Sequence, residues 1–140
     1  MQKKQIAFTI DTLEQAESII KETKIYKIIP IIHFKSYIIT GFGSDFIITF
    51  KNILVSKFGR SKFKIFVDCG NNRSLGINMA ILKIDYIKVL GNSIIIKKVK
   101  DIANKNKVSL NPSFNIVDCR NIKNIQLKIK KIYFRKKNEN

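Results

Sequence analysis

The sequence predicts a single three-layer α/β domain around a mostly parallel sheet of about five strands. Three observations lead there. Short runs rich in Ile, Val and Phe alternate with stretches whose apolar residues recur at helical spacing, the pattern of strand–helix crossovers rather than hairpins. Three of those runs meet an aspartate: Ile6-Ala7-Phe8-Thr9-Ile10-Asp11, Phe66-Val67-Asp68-Cys69-Gly70 and Ile116-Val117-Asp118-Cys119-Arg120. The turns between elements are short, which favours right-handed crossovers within one sheet.

Taken in order, residues 6–10 read as a first strand closed by Asp11-Thr12. Leu13, Ala16, Ile19 and Ile20 then recur at helical spacing, with Glu14 and Glu17 in the first turns. Both Asp11/Glu14 and Thr12/Gln15 have capping-box spacing. Residues 26–33 form a second strand containing Pro30, and a proline inside a strand predicts an edge position or a bulge. A connector with Gly41-Phe42-Gly43 follows. Ser44 is placed to cap a helix whose apolar face carries Ile47, Phe50, Ile53 or Leu54, and Phe58, and Gly59 ends it.

Residues 62–68 are the third strand. The turn Cys69-Gly70-Asn71-Asn72 leads to a helix with Leu75, Met79 and Leu82 on one face, and residues 86–90 make the fourth strand. Gly91-Asn92-Ser93 opens a further helix with Ile95, Val99 and Ile102 in register and a lysine-rich outer face. Residues 108–110 and 114–117 are both strand candidates across the turn Asn111-Pro112-Ser113, and the second is favoured as the fifth main strand. The chain divides into an α/β domain over residues 1–120 and a basic C-terminal helix and tail over 121–140. In that last segment Ile122, Ile125, Ile129 and Ile132 keep helical spacing, although residues 126–134 also show some alternation; helix is favoured, with a solvated tail after Arg135.

At 140 residues the chain can bury a core without staples. Its longest apolar runs, residues 28–32 and 94–96, are too short to span a membrane, and no apolar leader precedes the first strand, so export is not expected. Two cysteines fifty residues apart, at ends of different strands, suit a reducing cytoplasm and predict no bridge. With His33 the only histidine, Cys and His together supply three residues, one fewer than a structural zinc site needs. No metal or cofactor is expected. The formal charge is +17, and Ile, Lys and Asn make up 64 of the 140 residues, a bias that an A/T-rich genome produces. Whatever its origin, this charge attracts nucleic acid, other anions or anionic lipid.

The string Asp68-Cys69-Gly70, Gly76, Met79-Ala80, Leu82, Asp85-Tyr86-Ile87-Lys88-Val89 and Gly91 resembles one βαβ stretch of the aldolase-type (β/α) barrels. The resemblance covers residues 68–110, about a third of the chain. It implies a helix with small residues on its strand-facing side, and it places Lys88 within a strand, where barrels that use a Schiff-base lysine carry it. A complete barrel needs roughly 200 residues or more, so the resemblance implies a half barrel or a flavodoxin-like relative.

In both architectures ligands gather at the carboxyl ends of strands, which directs attention to the aspartates. Asp68 and Asp118 are candidate general acid and base, or oxygen ligands for Mg²⁺; equally, each can cap its own turn. Asp11 reads as structural, beside the helix that follows it. His33 and Cys69 complete a possible Cys-His-Asp arrangement, against a satisfied core histidine and inert thiols at Cys69 and Cys119. Asn71, Asn72, Arg73 and Ser74, with Asn92 and Ser93, are anion-binding candidates at helix starts. Lys128, Lys130, Lys131, Arg135, Lys136 and Lys137, with Tyr133 and Phe134, are candidates for a nucleic-acid backbone, against the plainer reading of a solvated helix face. Two functional readings follow. One is a noncatalytic domain binding an anionic partner, either a nucleic-acid backbone or a phosphorylated ligand; the other is an acid-base or lyase-like enzyme for a small phosphorylated or carboxylated metabolite.

Overall fold

The computed structural model describes residues 5–138, with side chains as far as Phe134. Six strands and six helices follow one another: β1 Ile6–Thr9, α1 Leu13–Ile25, β2 Ile31–Phe34, α2 Ser36–Phe42, α3 Ser44–Phe58, β3 Lys64–Asp68, α4 Arg73–Ile81, β4 Tyr86–Lys88, α5 Ser93–Lys105, β5 Ser109–Leu110, β6 Asn115–Asp118 and α6 Ile125–Asn138. All five strand pairings are parallel, and the order is β5-β4-β3-β2-β1-β6. A flavodoxin-like sheet reverses direction after its first strands. Here consecutive strands stay neighbours from β1 to β5 and β6 joins the free side of β1, which is the winding of a barrel.

The connection between β5 and β6 shows that the sheet is curled. These strands occupy opposite edges of the sheet. Laid flat, six strands would hold their edges about 24 Å apart, whereas the four residues between Leu110 and Asn115 reach at most about 17 Å. Phe114, within that connection, packs against Phe66 and Tyr86, with ring centroids 5.7 and 4.9 Å away. It therefore crosses the concave face. Ala7, Ile31 and Phe66 form a small cluster there with Tyr86 and Phe114. The alternate residues of the same strands, Phe8, Ile32, Phe34, Ile65, Val67 and Ile87, join the main core, to which all six helices contribute buried side chains.

Local chemistry explains most element boundaries. Thr12 caps α1 in a full capping box with Gln15, so Thr12 rather than Asp11 performs this duty. Pro30 lies just before β2, an interior strand, so the expected edge position is corrected: the missing N–H falls outside the ladder, and the Pro30 carbonyl accepts from Lys64 N. The connector at residues 36–42 is a helix, α2, which meets α3 at 106°. Gly43 caps α3 with no side-chain bond, in place of the expected Ser44. Both candidate strands near residues 108–117 form, at opposite edges. On α4, Gly76 and Ala80 are buried small residues, and Gly76 lies against Val89. The basic segment folds back onto the domain, with Ile125 and Ile129 buried in the main core and Tyr133 stacked on Tyr26 at 5.6 Å. No single helix among the described residues is long and apolar enough to cross a membrane.

Three helices end in the same way. After α1, α4 and α5 the residues Lys27, Lys83 and Lys107 adopt φ of 57°, 60° and 59°, and the two amides that follow each cap close Schellman bonds onto the last turn. That left-handed position ordinarily favours glycine. Each of these lysines is exposed, and each sits where a helix returns to the amino edge of the sheet.

Candidate functional site

Strand register places Thr9, His33, Phe66, Tyr86 and Asp118 in one layer, with Asp68 and Lys88 paired one layer nearer the carboxyl edge. Alternation along each strand puts these side chains on the concave side, away from the helices. His33 is 4% exposed; its Nδ1 shares a hydrogen bond of 2.8 Å with the buried Thr9 hydroxyl, and its ring packs on Phe66 at 4.7 Å. Burial lowers its pKa from 6.5 to about 4, Asp68 pulls it upward, and Lys35, Lys88 and Arg120 push it further down. At neutral pH the imidazole is therefore neutral. These charged residues stand at or just past the carboxyl ends of β2, β3, β4 and β6.

Each aspartate at this edge has a local partner. Asp68 Oδ1 accepts from Gly70 N at 2.9 Å, and Asp118 Oδ1 accepts from Arg120 N at 3.0 Å. Asp118 also takes a bidentate pair from the Arg120 guanidinium, at 2.9 and 2.7 Å, and these hydrogen bonds hold its pKa down to about 2. The same pair raises Arg120 above the usual arginine value. Arg120 reaches on to Tyr37 Oη at 3.0 Å, and the Tyr37 hydroxyl donates to Asp11. Gln15 Nε2 donates to the Arg120 carbonyl at 2.9 Å, tying this network to the start of α1. Asp68 on β3 and Asp118 on β6 are separated by β2 and β1, so they do not form adjacent carboxylates.

Cys69 is 2% exposed and belongs to the main core on the helix side, the face opposite His33. Burial, with Asp68 adding, pushes its thiol up to about 12; Cys119, buried and beside Asp118, rises to about 11. Both thiols are free. The structure does not bring Cys69 to His33, because successive residues past the end of β3 alternate between faces. Among the described residues no group of three His, Cys, Asp or Glu could hold a metal ion.

The helix-start candidates are exposed at the same edge, but two of them have work of their own. Asn72 caps α4 through Leu75 N and Asn92 caps α5 through Ile95 N, each at 3.0 Å; Asn71, Arg73, Ser74 and Ser93 flank these caps. On α6, Lys128, Lys130 and Lys131 are exposed, and Lys130 and Lys131 border a shallow depression with Leu127 and Phe134. The Arg135, Lys136 and Lys137 side chains lie outside those described.

Thr9, Tyr37 and Lys35 escaped the reading of the sequence, as did the bonds of Arg120 to Asp118 and Tyr37. Thr9 had a signal: it is the one polar residue in an otherwise apolar first strand, and a threonine there requires a partner across the sheet. Tyr37 had none, since α2 was read as a connector.

No family model and no curated protein matches the chain. Among solved structures it is similar to a protein from Coccidioides immitis assigned as a fructose-1,6-biphosphate aldolase, with TM-score 0.61 and 13% identity over 76% of this chain. The likeness is one of fold. The chain spans 44% of that structure's length, consistent with a half barrel carrying the expected βαβ stretch.

Proposed function

We propose that this protein is a noncatalytic cytoplasmic domain that binds an anionic partner, a nucleic-acid backbone or a phosphorylated ligand, through its lysine-rich surface. One observation carries the reading. The chain has 27 Lys and Arg against 10 Asp and Glu, and among the described residues only two ion pairs form, Lys57–Glu17 and Arg120–Asp118. The cationic excess is left facing solvent, where phosphate groups can displace counterions from it. The acid-base alternative has less support, because Asp68 and Asp118 each bind their own turn and Cys69 lies on the far face of the sheet.

The test is fluorescence anisotropy with a labelled single-stranded oligonucleotide over about 50 to 200 mM salt, the range in which phosphate-driven binding weakens steeply. Binding that falls with salt, and is unchanged in Asp68→Asn and Asp118→Asn, is the expected result. Absence of binding at the low-salt end, to the oligonucleotide and to ATP alike, removes the proposal.

A further inference from the structure

We infer that the partner seats at the amino edge of the sheet, in a cleft between the ends of α1 and α3, and that the unit held there is a phosphate ester with a flat apolar body, the chemistry of a nucleotide. This rests on the anionic-partner reading above and adds a place and a ligand class to it. The place is the end of the barrel opposite the strand-terminal aspartates.

The cleft has a volume of about 560 Å³, within the range of small-molecule sites. Lys24, Lys27, Lys57 and Lys62 line it, and Ser61 adds a hydroxyl. Its apolar part is formed by Ile28 and Ile29, 36% and 52% exposed, with the half-buried Phe58. Lys57 bonds Glu17 at 2.6 Å, while the other three lysines have no carboxylate partner among the described residues. Two helix C-termini point toward this region, each bringing about half a negative charge, and Glu17 brings one more. Four ammonium groups exceed that sum, so the cleft favours an anion. Inorganic phosphate alone would leave Ile28, Ile29 and Phe58 wet; a nucleotide covers them while its phosphates meet the lysines, the combination found where single strands are held.

The experiment compares two triple variants that remove the same formal charge. Lys24→Gln, Lys27→Gly and Lys62→Gln remove the three cleft lysines that have no carboxylate partner and leave Lys57 paired with Glu17; Lys128→Gln, Lys130→Gln and Lys131→Gln remove three cations from α6. Circular dichroism melts establish that both fold. With the labelled single strand, the cleft variant is expected to bind at least tenfold more weakly and to lose roughly two units of the salt slope, as expected for three single-strand phosphate contacts. The α6 variant is expected to change much less. Equal losses in the two variants, or a loss confined to α6, overturn the inference while leaving the anionic-partner reading intact. Competition then identifies the source: displacement of the strand by ATP but not by inorganic tripolyphosphate indicates a free nucleotide, and displacement by neither indicates a nucleotide within a strand. Equal displacement by both refutes the apolar body.

Discussion

Replacing Lys27, Lys83 and Lys107 together by glycine should make this protein more stable. All three residues have φ between 57° and 60°, in the left-handed region, at the ends of α1, α4 and α5. An L-residue there costs about 1–2 kcal/mol, and the greater freedom of glycine in the unfolded chain takes back about 0.5–1 kcal/mol. Loss of a lysine near a helix C-terminus removes a further few tenths. The net gain is about 0.5 kcal/mol or slightly more per site. The three sites share no hydrogen-bond partner, so the gains add to about 1.5–2 kcal/mol. At about 3–4 °C per kcal/mol for a chain of this size, the melting temperature should rise by about 5–7 °C. Thermal and urea melts followed by circular dichroism measure it. The matching alanine triple variant retains Cβ at each position and should show no gain. A glycine variant that melts at or below the wild type, or an alanine variant that gains equally, would refute the strain argument. If the cleft is the binding site, the stabilised variant should also bind oligonucleotide more weakly, since Lys27 is lost from it.

Acidification should destabilise the fold through His33. Its folded pKa, about 4, lies below the unfolded value of 6.5, so the unfolded chain binds the proton more readily. Stability is therefore complete above pH 6.5 and declines as pH falls toward 4, by about 3 kcal/mol in total. Urea titrations across that range, compared with His33→Gln, isolate the effect; a variant with the same pH slope as wild type would assign it elsewhere. Asp118, held at about 2 against 3.8 when unfolded, loses its contribution mainly below about pH 4, so the His33 effect is read from the upper part of the range. Gly76→Ala should cost about 1–2 kcal/mol, because the new Cβ would fall 2.5 Å from Cγ2 of the fully buried, β-branched Val89, outweighing the helix-propensity gain of up to about 1 kcal/mol. A urea midpoint at or above the wild-type value would show that α4 can lift away from β4 freely.

The alternating pattern made the parallel sheet legible, because apolar runs such as residues 65–67 and the helical spacing of Val99 and Ala103 are local signals. Strand order was not legible, since it depends on pairings between residues distant in sequence. Pro30 shows how a correct local rule misleads: the ring does exclude a ladder N–H, but the strand simply begins one residue later. Residues 36–42 looked like a connector because two glycines flank Phe42, whereas burial of Ile38 and Ile39 provides the helical face. At the site, the capping duty of Asp68 was readable from residue type and position, whereas Asn72 and Asn92, read as anion-binding candidates, each cap the helix they precede. The Arg120–Tyr37 contact joins residues 83 positions apart and left no local trace. The basic surface was plain in the composition, but its concentration in a cleft depends on how α1 and α3 end side by side.

The passage of residues 111–114 across the concave face also acts as a bowstring. Asn111 anchors one end of it, its carboxamide bonding both Val89 N and Val89 O at 2.8 and 3.2 Å as another strand would, and Phe114 wedges under the middle of the arc. The radius of the half barrel is then set by the length of a loop rather than by a second half. Lengthening that string would slacken the arc and draw Phe114 out from between Phe66 and Tyr86, so the curvature of all six strands is governed from four residues.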